Sequence, residues 1–475
     1  MKKVYLLFFI LFSIFMCEIE NNTSYEEKRD NYDYLLSNEE DIISPPSGTS
    51  TDLITIIGGN YTGQYYVSLY GSDNNPGTID KPFKTIAYAV THLQPGDTLV
   101  VWAKDKSKKP IIAGKNNLRT AFEISNCKYI KIENMEIKSY NGNPFREAIC
   151  GTDGPVEHIT LKDLYIHNID EFGIDIGDIN DINIINCKIS YCGFGAIGGP
   201  VGQHGGWQNV LIDSCELSYS GHYYQGGDGA NCPYDRPDGF GIEASEGPIE
   251  IRNTISTHNY GDGIDSKAKR TYIHECIIAN NSCDGVKLWG DLSKIVNSLI
   301  YGRGDGDVSP TPWAPIVINT ENNNSNFEIV NCTVDDKLGE NYIMHVQYDN
   351  QTIPINLHVV NTIFCSRGNN APCIWLAESV NYDITYNLFY SPNKANIFIK
   401  GSTTYTSSDV DKIGTGNIYG DPQFILTAWG SEGNYHLKST SPAINRGSSS
   451  GNVPSIDLEG KSRPQGSGLD IGCYE

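Results

Sequence analysis

The sequence predicts an all-β fold, a parallel β-solenoid in which short strands coil around one core and successive coils stack. Three observations indicate this fold. The 475 residues include 48 Gly and 29 Tyr, a composition that suits short strands joined by many turns. A six-residue pattern recurs along the chain, and its shortest spacing is 22 residues. A unit of that size cannot close its own core, so several units must stack.

The repeated pattern has an aliphatic residue first, a polar residue (often Asn) third and a second aliphatic residue sixth. Clear copies begin at Ile132, Leu161, Ile184, Ile212, Ile273, Ile295, Ile329 and Val359, and a degraded copy begins at Ile251. Spacings longer than 22 residues, up to 39, carry loop insertions. Stacked Asn side chains bond one another and tolerate left-handed backbone, so Asn186, Asn297 and Asn331 are predicted to share one corner.

Many of the cysteines are predicted to be small core residues rather than disulfide partners. An exported chain with 13 cysteines favours disulfides, but many of these cysteines follow a polar residue within strand-like sequence. That placement is typical of a column of small side chains in a core. The cysteines of the predicted column are Cys127, Cys187, Cys215, Cys276 and Cys332. No spacing of Cys and His indicates a zinc site.

Residues 1–17 are predicted to be an export signal, because two lysines precede an apolar run that is too short for an ordinary membrane span. Cys17 closes this run, as in bacterial lipoproteins, whose cysteine is acylated. Two outcomes stay open: a lipoprotein at the cell surface or in the periplasm, or a secreted protein. Residues 18–55 are polar and acidic, and they are predicted to form a disordered tether.

The formal net charge of −22 argues against a nucleic-acid partner and favours a divalent cation. Any contact with a membrane is expected only through a lipid anchor on Cys17. The protein is expected to act as a monomer.

The two ends of the chain carry sequences typical of solenoid ends. Residues 65–103 resemble the N-terminal cap of right-handed β-helix proteins of the pectate lyase type, in which a helix, here expected at 87–93, covers the open end of the coil. Residues 434–475 resemble a closing segment of bacterial exported β-helix proteins. The resemblance implies a single-stranded right-handed parallel β-helix with an N-terminal helical cap over residues 56–420, and a C-terminal closing segment over residues 421–475. It implies little about chemistry, because lyases, hydrolases, epimerases and adhesins share this fold.

Three copies of one short passage are predicted to lie on neighbouring coils. They read "DGFGIE" at 238–243, "DGIDSK" at 262–267 and "DGVKLW" at 284–289. The third residue of each copy is expected to face the core, and alternate residues then face outward. The predicted outer columns are Asp238–Asp262–Asp284, Gly241–Asp265–Lys287 and Glu243–Lys267–Trp289. Because adjacent coils lie about 4.8 Å apart, these charges would meet in a patch of about 10 Å.

Such a patch suits the removal of the α proton of a uronate, which needs a base and a positive charge to neutralise the carboxylate. Hard oxygen ligands favour calcium, and a lysine supplies the base. Asp238, Asp262 and Asp265, with Glu243 as a further candidate ligand, are therefore the predicted calcium site.

The same passages resemble two kinds of polysaccharide lyase with this fold. In the calcium-dependent pectate lyases of family nine, an Asp-Gly passage precedes a basic residue and another Asp-Gly passage follows one coil later. In the chondroitinase B and alginate lyase type, an acid lies five residues before the catalytic lysine, and Asp262 and Lys267 have that spacing. The resemblance implies that Lys267 is the base and that Lys287 stabilises the developing negative charge, with the two roles exchangeable.

The predicted function is an exported polysaccharide lyase that cleaves an acidic, uronic acid-containing polysaccharide by β-elimination with the help of calcium. The predicted substrate-binding residues are Arg303, Trp289, Asp284 and His204.

Other interpretations stay open. The passages also resemble polygalacturonases, inverting hydrolases that need three carboxylates, but Cys283 stands where one acid is expected. The passage "YGDGIDSK" is similar to mannuronan carbon-5 epimerases, except that Ser266 and Lys267 replace Pro and His. A non-catalytic glycan-binding β-helix would use aromatic platforms, here Trp207, Trp289 and Trp313. Finally, outward acid–base ladders are ordinary on a solvated sheet.

Overall fold

A computed structural model gives the fold of most of the chain from residue 53 onward. It describes the backbone of 53–56 and then residues 63–94, 96–103, 109–113, 119–139, 144–226, 237–302, 314–336, 342–367, 373–427 and 433–475. The predicted export signal, Cys17 and nearly all of the predicted tether lie outside these ranges, as do Arg303 and Trp313. Within the described ranges, no helix is both long and apolar enough to cross a membrane.

The strands, numbered β1 to β39 in chain order, form three long sheets and one short hairpin. Face 1 contains β1 (Leu53–Ile56), β2 (Gln64–Ser68), β3 (Thr98–Trp102), β6 (Lys128–Glu133), β9 (Val156–Lys162), β12 (Ile179–Ile185), β15 (Trp207–Asp213), β18 (Ile249–Arg252), β21 (Thr271–His274), β24 (Ser293–Val296), β27 (Ser325–Val330), β30 (Ile355–Val360) and β33 (Val380–Thr385).

Face 2 contains β4 (Ile111–Ala113), β7 (Glu136–Lys138), β10 (Tyr165–Ile169), β13 (Lys188–Cys192), β16 (Glu216–Ser218), β19 (Ile255–Thr257), β22 (Ile277–Ala279), β25 (Leu299–Tyr301), β28 (Thr333–Asp336), β31 (Ile363–Ser366), β34 (Leu388–Tyr390) and β37 (Ile418–Tyr419). Face 3 contains β5 (Thr120–Glu123), β8 (Glu147–Gly151), β11 (Phe172–Ile176), β14 (Gly195–Gly199), β17 (Asp238–Ser245), β20 (Ile264–Ala268), β23 (Val286–Leu288), β26 (Ile316–Ile318), β29 (Met344–Val346), β32 (Ile374–Leu376), β35 (Asn396–Lys400) and β36 (Thr403–Thr406). The hairpin pairs β38 (Phe424–Leu426) with β39 (Asn434–Leu437).

Strands β6 to β35 form ten coils, because the chain repeats the order face 1, face 2, face 3 and supplies one strand to each face per coil. Neighbouring coils pair in parallel, as between β12 and β15 on face 1 and between β17 and β20 on face 3. Three stacked parallel sheets around one core are the architecture that the repeated pattern predicts.

The first residues of the repeated pattern form a single column inside the core. Each pairs directly with its equivalent on the neighbouring coils of face 1, and all are buried. The column contains Ile132, Leu161, Ile184, Ile212, Ile251, Ile273, Ile295, Ile329 and Val359. Burying each of these side chains contributes about 1.5–3 kcal/mol, which makes the column a main source of stability. The degraded copy at Ile251 keeps its place in it.

The polar third residue of the pattern forms the corner between face 1 and face 2. Asn186, Asn297 and Asn331 all have left-handed backbone there, with φ near 50°. The side-chain amide of Asn297 donates to Glu275 Oε1 of the previous coil at 3.1 Å, and that of Asn361 donates to Asn331 Oδ1 at 3.3 Å. The shared corner predicted for these residues is confirmed.

The cysteine column is confirmed with one correction. All 11 described cysteines are free thiols. Cys187, Cys215, Cys276 and Cys332 are buried just after the Asn corner, and each thiol donates to a backbone carbonyl. Cys127 was wrongly placed in this column. It lies in the turn between face 3 and face 1, before β6, and is only partly buried.

Short helices cover both ends of the coil. Near the N-terminus, α1 (Ile86–Val90) buries Ile86 and Ala89 against the core, at the place where the sequence predicts a cap. At the other end, α2 (Val410–Ile413) buries Val410 and Ile413 against the same core. The last residues run outside face 2, where Ile471 packs in one cluster with Leu299, Ile363 and Leu388.

Candidate active site on face 3

Three consecutive strands of face 3, β17, β20 and β23, carry the three similar passages. Their register pairs Phe240 with Ile264 and Ile264 with Val286, all of them buried. It also pairs Gly241 with Asp265, and Asp265 with Lys287. The predicted alignment is confirmed, and the opposite charges of Asp265 and Lys287 therefore lie side by side on the outer face.

Each passage begins with an Asp-Gly pair in which the glycine faces the core and the aspartate faces away from it. A Cβ atom at Gly263 would lie 2.4 Å from Ile278 Cγ2, and one at Gly239 would lie 2.2 Å from Ser256 Oγ. Only glycine fits these inward positions. The aspartates form a ladder instead: Asp238 Oδ1 accepts the backbone N–H of Asp262 at 2.7 Å, and Asp262 Oδ1 accepts that of Asp284 at 2.8 Å.

Three carboxylates converge at this ladder, and we call Asp238, Asp262 and Asp265 the aspartate cluster. Each offers one oxygen, and these oxygens all lie within 4.8 Å of one another. Burial raises the pKa of Asp265 to about 7, with Asp262 and Glu243 adding to the rise and the two lysines opposing it. Burial, then Asp262 and Asp265, also raise the pKa of Asp238. Burial and mutual repulsion therefore both favour the protonated, neutral forms of Asp238 and Asp265.

Lys287 is the cation inside this cluster. Its Nζ lies 3.7 Å from Asp262 Oδ2 and 3.8 Å from Asp265 Oδ2, and its side chain is 15% exposed. Burial lowers the pKa of Lys287, but the aspartates around it outweigh burial and raise the pKa well above the ordinary value. As it stands, Lys287 is a charged lysine that neutralises part of the cluster.

Lys267 lies at the rim of the cluster, paired with Glu243. Its Nζ is 2.5 Å from Glu243 Oε1, and its side chain is 31% exposed. Burial opposes its charge, but Asp265 and Glu243 raise its pKa. Glu243, a further candidate ligand, is not one of the three residues whose oxygens converge. A β-bulge between Ile242 and Ser245 interrupts the register of β17 beside it.

The other predicted binding residues lie at different distances from this centre. Trp289 is half-buried and its indole Nε1 donates to Asp265 Oδ1 at 3.1 Å, which orients that carboxylate. Asp284 is buried, and its Oδ1 accepts the backbone N–H of Ala314 at 2.7 Å. His204 instead bonds Asp178 through its backbone N–H and its ring, in the turn that leads from face 3 to face 1. No contact joins His204 to the described residues of the cluster.

Trp207 is not a sugar platform, so that part of the glycan-binding interpretation is wrong. The side chain is fully buried, and its Nε1 donates to the carbonyl of Ile176 at 2.8 Å. It pairs with Ile179 on face 1, a core position, and its ring meets the ring of Phe240 edge-on. A large aromatic side chain here fills the core where a glycine, Gly199, makes room.

Sequence reasoning missed a second polar group on face 3. Asp175 occupies the same column as Asp265, three strands earlier, with Gly198 and Gly241 between them. Burial, then Glu147 and Glu171, raise the pKa of Asp175 to about 7. The signal was present in the sequence, because "FGID" at 172–175 repeats the skeleton of "DGID" at 262–265.

Comparisons with known proteins bear on the fold. No protein-family model matches the chain, and no curated protein matches its sequence. The structure is similar to that of XylC in complex with xylose, with a TM-score of 0.53 and 11% identity over 87% of this chain and 98% of that chain. Pectate lyase Pel9A has a TM-score of 0.38 and 15% identity, over 88% of this chain and 97% of that chain. The A-module of the Azotobacter vinelandii mannuronan C-5 epimerase AlgE4 has a TM-score of 0.43 and 11% identity, over 77% of this chain and 89% of that chain. Together with the stacked parallel sheets, the XylC similarity confirms the predicted fold class, a right-handed parallel β-helix.

Proposed function

We propose that this protein is an exported polysaccharide lyase that cleaves a uronic acid-containing polysaccharide by β-elimination. The observation that carries the proposal is the aspartate cluster with Lys287 inside it on the outer side of face 3. An array of carboxylates and a lysine suits an acidic substrate whose own carboxylate must be neutralised before its α proton can leave. The sequence resemblance to calcium-dependent lyases of this fold supports the same reaction.

Calcium fits the aspartate cluster by the chemistry of its donors. Hard carboxylate oxygens are the ligands that calcium prefers, and the cluster brings one oxygen from each of three carboxylates within 4.8 Å of one another. Asp238, Asp262 and Asp265 would hold the ion. A calcium ion held there would supply positive charge that stabilises the substrate carboxylate.

The geometry favours the exchange of the two lysine roles, with Lys287 as the base. Lys287 lies among the carboxylates, whereas Lys267 is held by Glu243 at the rim. Three of the four aspartates that raise the pKa of Lys287 are the proposed metal ligands, and the fourth is Asp284. Neutralising the three ligands would lower the pKa of Lys287 and favour the neutral amine, which accepts a proton. Lys267 as base, the assignment from sequence spacing, remains the alternative.

The residues would carry out the elimination as follows. The Lys287 amine takes the proton from the carbon next to the substrate carboxylate. The electron pair left on that carbon forms a double bond, and the neighbouring carbon–oxygen bond of the glycosidic link breaks. The leaving oxygen takes up a proton from solvent, and Lys287 returns to solvent the proton that it removed. Trp289 keeps Asp265 oriented through its indole N–H throughout. No water enters the products, so each cleavage yields one unsaturated sugar end.

An inverting hydrolase fits the cluster less well. That mechanism needs two carboxyl groups about 6.5–9.5 Å apart, so that a water fits between base and sugar. One oxygen from each carboxylate of the cluster lies within 4.8 Å of the other two, closer than this arrangement needs. Asp262 with Asp284 is the pair that would have to act if the product were a hydrolysis product.

The reaction is tested by incubating the protein with polygalacturonate, alginate and chondroitin sulfate, each with calcium or with a chelator. A lyase produces ultraviolet-absorbing unsaturated ends on one of these polymers, whereas a hydrolase produces only new reducing ends. Lys287→Ala should lose the ultraviolet signal, and Lys267→Ala should keep a measurable rate. Full activity of Lys287→Ala together with loss in Lys267→Ala would restore the sequence-based assignment. Absence of unsaturated product from all three polymers would contradict the lyase.

The metal is tested separately with Asp238→Asn. The amide oxygen of Asn can still accept the backbone N–H of Asp262, so the ladder is retained while one charged ligand is lost. Calcium should raise the unfolding temperature of the wild type more than that of the variant, because only ligands bound to the folded state stabilise it. Equal unfolding temperatures of the wild type with calcium and with chelator would remove calcium from the proposal.

A further inference from the structure

The ring of Phe172 leans over the next coil of face 3, upstream of the aspartate cluster. A Cβ atom at Gly198 would lie 2.7 Å from Phe172 Cδ1, and one at Gly195 would lie 3.0 Å from its Cε1. A side chain at either position would therefore displace the ring. Phe172 remains half-buried on the outer face, and the ring of Phe194 meets it edge-on with centroids 5.8 Å apart. The result is an aromatic surface at the level of the sheet.

Two arginines, Arg119 and Arg146, border this surface on successive coils. The backbone N–H of Arg146 donates to the carbonyl of Arg119, and that of Glu171 donates to the carbonyl of Arg146. Arg119 Nη2 lies 3.1 Å from Glu147 Oε1, and Arg146 Nε contacts Glu171 Oε1. Both glutamates are buried. Each carboxylate therefore fixes one side of a guanidinium group.

The remaining donors of these arginines face outward. The Arg119 side chain is 62% exposed and that of Arg146 is 30% exposed. Among the described residues, Glu147 and Glu171 are the only hydrogen-bonding partners of the two guanidinium groups. A buried carboxylate that bonds one edge of a guanidinium group fixes the orientation of its remaining N–H groups. Two of those N–H groups can then bind a second carboxylate through two parallel hydrogen bonds.

This surface and the aspartate cluster lie on one line parallel to the solenoid axis. One outward column runs from Asp175 through Gly198 and Gly241 to Asp265. Phe172 lies two strand spacings before Asp238, the first aspartate of the cluster, and Arg146 lies three spacings before it, or about 14 Å. The two glycines leave that column without side chains between its two ends. A sugar chain laid along it would cover roughly three sugar units between the two sites.

We propose that Phe172, Arg119 and Arg146 form a distal subsite that binds one uronate residue of the same polysaccharide chain whose cleavage is proposed above. The sugar ring packs on Phe172, and its carboxylate is held by Arg146 with Arg119. The inference rests on the proposed acidic glycan substrate and not on the elimination step. Burial, then Glu147 and Glu171, raise the pKa of Asp175 to about 7, so below that pH its carboxyl group is mainly protonated and does not repel the substrate.

The alternative is that these ion pairs only stabilise the coil. Burying a glutamate carries a large desolvation penalty, and apolar side chains of similar volume often stabilise a fold as well as a buried ion pair or better. Arg252 offers a comparison on face 1, away from face 3: its exposure is similar to that of Arg146, and it pairs with Asp213 at 2.9 Å and with Glu250 at 3.0 Å. If arginine–carboxylate pairs act only in folding, Arg146 and Arg252 should behave alike.

The experiment measures binding and cleavage of galacturonate and mannuronate trimers and hexamers by the wild type, Phe172→Leu, Arg146→Gln and the control Arg252→Gln. For the better-bound sugar, Phe172→Leu and Arg146→Gln should each raise Kd and KM for the hexamer about tenfold with little change in kcat, because the lost contacts lie away from the reacting bond. Their trimer affinity should equal that of the wild type. Arg146→Lys should recover only part of the hexamer affinity, since it keeps the charge and loses the fork.

The outcomes separate this inference from the proposed reaction. A wild type that binds the hexamer without producing unsaturated ends contradicts the lyase, and the Arg146 and Phe172 variants then still decide the subsite through Kd. Hexamer affinity unchanged in both variants overturns the subsite even if cleavage occurs. If the Phe172 and Arg146 variants lose equal affinity for trimer and hexamer, or if Arg252→Gln loses as much hexamer affinity as they do, the effect is a general one on folding. Either result also overturns the subsite. A wild type that binds neither sugar overturns the uronate subsite.

Discussion

Lys287 and Asp265 occupy equivalent positions on neighbouring coils, and their opposite charges explain why the passages repeat their apolar skeleton but not their charges. The inward positions must stay alike, because each coil packs on the one before it. The outward positions are free to differ. Three aspartates brought together by that constraint need a cation, and Lys287 supplies one within 3.8 Å of two of them.

Lys287→Met should destabilise the calcium-free protein by about 2 kcal/mol, because it leaves the buried aspartate cluster without its cation. Calcium should restore most of that loss by taking over the charge. Lys267→Met is the matched control, since its more exposed pair with Glu243 is worth about 0–1 kcal/mol. Denaturant unfolding in chelator and in calcium gives both values. A Lys287→Met protein as stable as the wild type in chelator would contradict this account of the cluster.

Asp175 makes stability depend on pH. Burial, with Glu147 and Glu171, raises its pKa from 3.8 to about 7, while Arg119 acts in the opposite direction. The unfolded chain loses this proton near pH 4, whereas the folded protein keeps it to about pH 7. The folded state therefore binds more protons within that window, and the free energy of unfolding falls as pH rises through it.

Asp175→Asn should consequently lose less stability than the wild type between about pH 4 and pH 7, and should be the more stable of the two at pH 8. Unfolding temperatures measured across this range test the prediction. Asp153→Asn, which changes an exposed aspartate in the turn after β8, controls for the loss of one charge. Parallel pH profiles of the wild type and Asp175→Asn would show that Asp175 titrates at its ordinary pKa.

At the level of strands, the sequence was enough to place the repeated pattern in register. Ile251, the degraded copy, still pairs with Ile212 and Ile273, because a one-residue slip would turn the core column outward. The pattern was not enough where the chain leaves it. Trp207 begins a strand directly after a loop, so its inward direction depends on its partner Ile179 and not on local alternation.

The candidate site was predictable to the same extent. The alignment of Asp265 with Lys287 followed from the period of the coil. The bulge in β17 beside Glu243 did not, because an extra residue in one strand leaves no signal in the alternation of its neighbours. The two arginines were not predicted as binding residues. Arg119 and Arg146 each lie just before a strand, where the alternation of inward and outward residues does not predict which way a side chain points.

The Asp-Gly turn of β20 gives a prediction about an element. Gly263→Ala should destabilise the protein by about 1–3 kcal/mol, because the new methyl group would lie 2.4 Å from Ile278 Cγ2 and 2.6 Å from the carbonyl oxygen of Gly285. Gly177→Ala, in the turn that follows β11, is the control, since its nearest neighbour would be 3.8 Å away. Denaturant midpoints compare the two. Equal midpoints would mean that β20 and β23 can separate at little cost.

The whole molecule is a stack whose coils contact mainly their neighbours, and the C-terminal segment is the exception. Arg463 bonds Asn297 Oδ1 at 2.8 Å, on a coil far from it in sequence, and its guanidinium pairs with Glu475 at 3.1 Å. Both charged side chains are 1% exposed. The segment covers Leu299, Ile363 and Leu388 on the outside of face 2. Its attachment therefore keeps an apolar surface away from water.

Glu475→Gln should loosen this segment first and the coils later. Leaving Arg463 buried without its carboxylate costs about 3–5 kcal/mol, a loss large enough to open the segment locally before the stack unfolds. Limited proteolysis should cut within residues 433–475 sooner than in the wild type, and a dye that binds apolar surface should report the uncovered part of face 2. Glu459→Gln, which removes an exposed partner of Lys461 in the same segment, should do neither. If the two variants are cleaved at the same rate, the buried pair does not hold the segment, and the packing of Ile471 and its neighbours against face 2 must be sufficient on its own.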